Sequence, residues 1–205
     1  MFLKRFMQGF FHLLYHPFAF TYDLVAAAVS FGRWTDWVMQ VLPFIEGTQV
    51  LELGHGPGHL QRALLSRGLF AVGLDESRQM SRLAKRRLDA TSRLTRGLAQ
   101  SLPFSARSFE TITATFPSEY IFDPRTLSEI QRCLSDGGRL VVLPATWPRS
   151  QLLKLLYRVT GETPSDLGEA IKSRIQKPFE QAGFRTETQI IEVKSGMLLI
   201  VLARK

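Results

Sequence analysis

The chain has 205 residues, 45% hydrophobic and 21% charged, with a formal net charge of +8. Those proportions suit one folded domain spanning 1–205 with a full core, and they exclude a disordered or low-complexity chain. The single cysteine, Cys133, excludes an internal disulfide and fits a reducing, cytoplasmic compartment, where it reads as a small buried hydrophobe.

Residues 1–20 place Phe2, Phe6, Phe10 and Leu14 at intervals of four, with Lys4, Arg5 and Gln8 between them, which describes one amphipathic helix. Histidines, a glutamine and a proline interrupt its apolar stretch, so it is not a membrane span, and it has no small-residue cleavage site of a signal peptide. Three readings stay open: a helix packed on the domain, a lid, or an interfacial helix giving peripheral membrane contact through 1–20. From Phe20 to Ile45 the pattern is again helical, closed by Pro43 and Gly47.

Strands and helices then alternate. Val50–Leu53 reads as a first strand and Leu60–Ser66 as a helix ending at Gly68. Phe70–Leu74 is a second strand ending in Asp75, and Ser77–Ala90 is an arginine-rich helix. A short third strand is expected within Arg93–Ala99, and a β-branched fourth at Thr111–Thr115. Next come a helix at Pro124–Leu134, a stop at Asp136-Gly137-Gly138, and a fifth strand at Arg139–Leu143. Ser150–Val159 and Ser165–Ala182 read as helices, the second interrupted by Pro178. Arg185–Val193 and Met197–Ala203 read as two strands joined tightly enough for a hairpin. The alternation predicts an α/β fold, a Rossmann-like three-layer sandwich. Its seven-stranded sheet is mostly parallel, with an antiparallel C-terminal hairpin strand.

Charge and histidine spacing add little chemistry. Arg78, Arg82, Lys85, Arg86, Arg87, Arg93 and Arg96 read as the solvated face of one helix and its neighbour. No aromatic residues are interleaved to stack bases, so no nucleic-acid partner is expected. His12/His16 and His55/His59 stand at the spacing of helical neighbours, but neither pair has an obvious third ligand, and no metal is expected.

The chemistry concentrates at Glu52-Leu53-Gly54-His55-Gly56-Pro57-Gly58. Glycines at alternate positions let the backbone turn sharply after the first strand and let a ligand approach closely. A dinucleotide fingerprint needs its third glycine at position 59, where His59 stands, so the spacing is GxGxG preceded by an acid.

In this ExGxGxG pattern and in the segments around it, over roughly Tyr22–Lys205, the sequence resembles the class I S-adenosylmethionine-dependent methyltransferases. It is most similar to the small-molecule enzymes of the ubiquinone-biosynthesis type. Asp75-Glu76-Ser77-Arg78-Gln79-Met80 resembles the family's DxSxxM. Ala99-Gln100-Ser101-Leu102-Pro103-Phe104 resembles its adenine-contacting segment. Cys133-Leu134-Ser135-Asp136-Gly137-Gly138 resembles its entry to the fifth strand, and Gln181-Ala182-Gly183-Phe184 with the hairpin completes the match.

The resemblance implies S-adenosyl-L-methionine as cofactor. Gly54, His55, Gly56 and Gly58 would seat its methionine and ribose end, with Glu52 toward the ammonium. Asp75 would take the ribose hydroxyls, Glu76 and Met80 would lie around the adenosine, Ala99, Gln100 and Ser101 would lie by the adenine, and Phe116 would lie beside the turn. Gln100 stands close to where the family commonly has an acid, and it can hydrogen-bond the adenine edge. Thr115-Phe116-Pro117-Ser118-Glu119-Tyr120 lacks the Asn-Pro-Pro-Tyr box of enzymes that methylate DNA bases or glutamine, which argues against those substrates.

The implied reaction is methyl transfer by in-line displacement, in which the protein mainly aligns the acceptor and excludes water. A hydroxyl acceptor would need a base, for which His55, His59, Glu119 and Tyr120 are candidates; no catalytic residue is assigned. Residues 1–45 are expected to cap the substrate side. With Phe10, Phe11, Tyr15, Phe18, Phe20, Tyr22 and Trp34 there, the expected acceptor is a small hydrophobic or aromatic molecule, such as a quinone precursor or lipid-like compound. The alternatives are a non-catalytic binding protein of the same fold and a dinucleotide-dependent oxidoreductase.

Overall fold

A strand covered by helices on both faces is buried along nearly its whole length, and the first strand is: of β1 (Gln49–Leu53) only Gln49 is exposed. The computed structural model describes residues 33–89, 92–148 and 175–205. The expected amphipathic segment 1–20, the helical run 20–32 and the helices over 150–159 and 165–174 lie outside the described residues.

In chain order the elements are α1 (Trp34–Val38) followed by a 3-10 segment (Met39–Phe44), β1, α2 (His59–Ser66), β2 (Phe70–Asp75), α3 (Arg78–Arg87), β3 (Arg93–Arg96) and β4 (Phe109–Thr115). A 3-10 turn (Glu119–Phe122), α4 (Pro124–Cys133), β5 (Leu134–Pro148), a helix α5 over 175–181, β6 (Arg185–Val193) and β7 (Gly196–Arg204) complete it. The strands form one sheet in the order β3-β2-β1-β4-β5-β7-β6. β3, β2, β1, β4 and β5 run parallel, and β7 is antiparallel to both of its neighbours.

Two apolar layers sandwich the sheet. On one face Leu51, Leu53, Leu74, Ile112 and Ala114 pack against Leu127 and Ile130 of α4 and Phe179 of α5. On the other, Val50 and Ala71 pack against Leu60 and Leu64 of α2 and against Trp37, Val38, Val41 and Leu42. Leu64 is fully buried, so truncating such a residue to alanine costs about 2–5 kcal/mol. Trp37 also donates its indole N–H to Ser195 Oγ at 2.7 Å, tying α1 to the turn of the β6–β7 hairpin.

Helix boundaries obey local chemistry. Ser77 caps α3, its hydroxyl accepting from the Met80 amide, and Asp123 caps α4 ahead of Pro124. Several expected boundaries move. The described part of the run expected to be helical up to Ile45 is a short α-helix and then a 3-10 segment containing Pro43, whose ring cannot donate to an α-helical ladder. α3 ends at Arg87 because Leu88 is extended, and β3 ends before Gly97. β5 is much longer than Arg139–Leu143. Leu134 already pairs with Phe109, residues 135–138 bulge out, and beyond an irregularity at Val142–Ala145 the strand continues along β7.

The order of the sheet reverses between β1 and β4. The crevice outside the carboxyl ends of these two strands is therefore the switch point where ligands of open α/β sheets bind.

Candidate functional site

Three glycines in left-handed backbone build the turn after β1: Gly54 at φ +70°, Gly56 at +51° and Gly58 at +84°. The turn is bonded onto the end of β2. The Gly54 and His55 amides donate to the Leu74 carbonyl at 2.7 and 3.3 Å, and the Gly56 amide donates to Asp75 Oδ2 at 2.9 Å. Asp75 Oδ1 accepts the Ser77 amide at 2.8 Å, so one carboxylate braces both the glycine turn and the start of α3. Each of its oxygens keeps acceptor capacity beyond these single bonds. A side chain at Gly56 would meet nothing within 4 Å, whereas one at Gly58 would press on Ala84 and Leu88 of α3. Space for a ligand therefore lies at Gly56, and Gly58 is glycine for packing.

Beneath the turn lies a buried polar row. Glu52, 2% exposed, accepts from Gln61 Nε2 at 2.9 Å, and the same nitrogen reaches the Val72 carbonyl at 3.2 Å. Burial pushes the Glu52 carboxyl up to about 8. The Gln61 hydrogen bond opposes that shift and the nearby Asp75 charge adds to it. In register with Glu52 stand Gly73 on β2 and Thr113 on β4. Over Gly73 lie the His55 ring and the Gln61 amide. His55 places Nδ1 2.7 Å from the Gly56 carbonyl; a carbonyl only accepts, so Nδ1 carries the proton. Its Nε2 is buried with no hydrogen-bond partner, and burial holds the ring below the usual histidine pKa.

The other expected site residues are spread around the turn. Glu76 is exposed at the mouth, its carbonyl accepting from Arg96 at 3.4 Å. Met80 is 1% exposed, so its side chain belongs to the core under α3 rather than to an open surface. Ala99 is buried, Ser101 is exposed at a tight turn closed by its amide on the Leu98 carbonyl, and the Gln100 side chain hydrogen-bonds Asp123. Phe116 follows β4 at φ +48°, its amide on the Leu143 carbonyl, with its ring 4.2 Å from Trp34 and 6.4 Å from Trp37. Of the four candidate bases, His55 is sealed under the turn, His59 Nε2 lies 3.1 Å from Arg87 Nη1 and Glu119 is exposed. Tyr120 places its hydroxyl 3.2 Å from the Leu53 carbonyl, over Gly54.

Some positions that shape the site carry no motif. Arg87, expected on the solvated face of α3, turns back and donates to the Pro57 carbonyl at 2.6 Å, pinning the helix to the glycine turn. Glu129 and Arg132 of α4 grip the 98–104 segment. The Leu102 amide donates to Glu129 Oε2 at 2.7 Å, and Arg132 donates to the Phe104 and Leu102 carbonyls at 2.7 and 2.9 Å. The two side chains also pair at 2.8 Å, which holds the Glu129 carboxyl below its usual range. Their i,i+3 spacing on one helix is a charge pair visible in the sequence, but its grip on the loop is not.

Comparison with known proteins places this geometry. Residues 50–138 match the model of a methyltransferase domain family. The chain is 35% identical over 144 residues to a demethylmenaquinone methyltransferase of Thermotoga maritima, covering 67% of this chain and 62% of that protein. It is 28% identical over 148 residues to a ubiquinone/menaquinone biosynthesis C-methyltransferase of Geotalea uraniireducens, covering 66% and 63%. The chain thus spans a little over three fifths of the length of the curated relatives it matches. Among solved structures, an S-adenosylmethionine-dependent methyltransferase from Thermotoga maritima superposes with a TM-score of 0.63 at 19% identity, covering 95% of this chain and 98% of that one. Another, from Mesorhizobium loti, gives 0.57 at 20%, covering 84% and 97%. At such identities these two establish the shared fold.

Proposed function

Because the chain belongs to the class I S-adenosylmethionine-dependent methyltransferase family, we propose that it transfers a methyl group from S-adenosyl-L-methionine to a small hydrophobic or aromatic acceptor. The observation that carries this reading is the left-handed glycine turn at the β1/β4 switch point, open at Gly56 and braced by Asp75.

The residues present fit the cofactor. Asp75 has spare lone pairs for two ribose hydroxyls, and the unfilled space at Gly56 admits a ligand against bare backbone. The 98–104 segment is held rigidly enough to form an adenine wall. Glu52, below the turn, would supply the carboxylate for the cofactor's ammonium. When bound, the cofactor supplies a methyl group already activated on a cationic sulfonium. The remaining work belongs to the chain: orienting the acceptor in line with the departing sulfur and excluding water, an alignment worth on the order of 7–11 kcal/mol in the best intramolecular models. Trp34 and Phe116 offer an aromatic wall at the carboxyl end of β4, and Tyr120 closes over Gly54. Those surfaces, together with the quinone-type substrates that the relatives' names specify, support an aromatic acceptor of the quinone-precursor class.

Among the described residues no helix is long and apolar enough to cross a membrane. The proposed location is the cytoplasm, with the acceptor met at a membrane surface.

A thermal-shift titration tests the reading. S-adenosylmethionine and S-adenosylhomocysteine are each expected to raise the melting temperature. No shift at millimolar concentration sinks it, and a shift with a nicotinamide dinucleotide instead favours an oxidoreductase. A cofactor shift without transfer of labelled methyl to any demethylated quinol would leave a binding protein of the same fold.

A further inference from the structure

Several arginines have a carboxylate at hand: Arg107 with Asp136, Arg125 with Asp123, Arg132 with Glu129, and both Arg139 and Arg204 with Glu46. α3 carries the densest run of cations that lack such a partner among the described residues. Arg78, Arg82, Lys85 and Arg86 are all exposed and pair with no carboxylate among the described residues. Their spacing puts them on one stripe, opposite the buried Met80, Ala84 and Leu88. Beside this stripe runs the sheet edge β3, adding exposed Arg93 and Arg96. Between His59 and Leu98 the chain carries nine basic and three acidic residues, and so holds six of its eight net positive charges. One of those acids, Asp75, is buried in the turn; the other two, Glu76 and Asp89, flank the ends of α3.

We infer that this α3–β3 face is a docking surface for an anionic lipid bilayer. The stripe is about 12 Å long on a straight helix, so it presents a flat row of single-sign charge rather than a groove that could track a polynucleotide backbone. Phe70 is an exposed aromatic next to it, and one face of its ring is taken by the Arg93 guanidinium 4.1 Å from the ring centroid, so the face offers no row of free aromatic rings on which successive bases could stack. Lipid headgroups need only the charge. The face also adjoins the cofactor turn, because Arg87 fastens the last turn of α3 to Pro57. A bilayer resting there lies beside the site, where an apolar acceptor could enter from the membrane. That role in delivery rests on the methyl-transfer reading; the surface itself does not.

The test is co-sedimentation of the full chain with vesicles of neutral phosphatidylcholine, and with vesicles about one-third phosphatidylglycerol, at low and at ~0.5 M salt. The chain is expected to partition onto the anionic vesicles at low salt and to be released by high salt. The triple variant R82Q/K85Q/R86Q is expected to lose at least about tenfold in partitioning, while K177Q/R185Q/K194Q, which neutralises exposed cations elsewhere, is expected to match the parent. The substituted side chains of the triple variant are exposed and unpaired, so circular dichroism should confirm an unchanged fold. Equal partitioning onto neutral and anionic vesicles overturns the assignment, as does a triple variant that binds like the parent. A labelled mixed-sequence duplex, bound at physiological salt and lost in the triple variant while vesicles are ignored, reassigns the face to nucleic acid and overturns it as well. Vesicle binding with no thermal shift by S-adenosylhomocysteine removes the methyl-transfer reading and leaves the surface standing.

Discussion

Asp75 Oδ2 accepts the Gly56 amide at 2.9 Å, so the acid at the end of β2 shapes the turn in which it is expected to hold a ligand. Asp75→Asn keeps the volume but sets an amide N–H against one of the two backbone donors at Gly56 and Ser77. An unsatisfied buried donor costs about 1–3 kcal/mol, which lowers the melting temperature of a domain this size by roughly 2–12 °C. The variant should also lose the thermal shift with S-adenosylhomocysteine. A variant that melts like the parent and still shifts would show that Asp75 neither shapes nor occupies the site.

Gly56 and Gly58 should separate binding from stability. Both have positive φ, which costs roughly 1–2 kcal/mol for alanine. At Gly58 the added methyl also lies 3.1 Å from the Ala84 Cβ and 3.2 Å from Leu88, and relieving such crowding adds roughly 1–3 kcal/mol. At Gly56 the methyl enters open space. Gly58→Ala should therefore melt lower than Gly56→Ala yet keep its cofactor shift, while Gly56→Ala should lose the shift. Calorimetric melts with and without S-adenosylhomocysteine decide it, and the opposite ranking would place the ligand elsewhere.

Arg132→Met removes the donors to the Leu102 and Phe104 carbonyls and leaves Glu129 without its partner. Hydrogen bonds from charged groups contribute about 1.5–3 kcal/mol, but Arg132 is half-buried, so the lower end applies. The expected outcome is a weakened affinity for S-adenosylhomocysteine, roughly tenfold, with the far-UV circular dichroism unchanged. Unchanged affinity by titration calorimetry would show that the 98–104 segment does not depend on α4 for its shape.

Much of this arrangement is legible in the sequence because it is set by short-range chemistry. Short apolar runs and period-3.6 patterns place β1, α2, β2 and α4 within a residue or two, and the glycines at 54, 56 and 58 announce a turn in left-handed backbone. What is illegible depends on partners distant in the chain. A helical wheel puts Arg87 with its solvated neighbours, and only the folded turn offers it the Pro57 carbonyl. Met80 holds a motif position expected beside a ligand, and the folded chain buries it to 1% exposure beneath α3, a depth that the motif does not state. β5 outruns its expected length because β7, more than fifty residues later, supplies the pairing. Glu52 could be read as an acid beneath the turn, but its protonation state depends on neighbours from β2, α2 and the turn itself.

That state gives the last prediction. The groups facing Glu52 are the neutral Gln61 amide and the charge of Asp75, and no cation among the described residues pairs with it. Its carboxyl titrates near 8 in the folded chain against 4.5 ordinarily. The folded state therefore holds a proton that the unfolded chain has released, and stability falls as pH rises from 4.5 to 8, then levels off. The total is on the order of a few kcal/mol. His55 acts in the opposite sense. Its pKa is lowered from 6.5, so below that pH the unfolded chain binds the extra proton and stability rises with pH. Between pH 6.5 and 8 the opposing effect of His55 is spent and that of Glu52 remains, so urea denaturation should show stability declining across that window. Glu52→Gln should abolish the decline and be the more stable protein at pH 8. Ionised Glu52 is also the better partner for an ammonium, so the parent's affinity for S-adenosylhomocysteine should rise over the same window and the variant's should not. Flat stability in the parent between pH 6.5 and 8 would mean that Glu52 is already ionised beneath the turn.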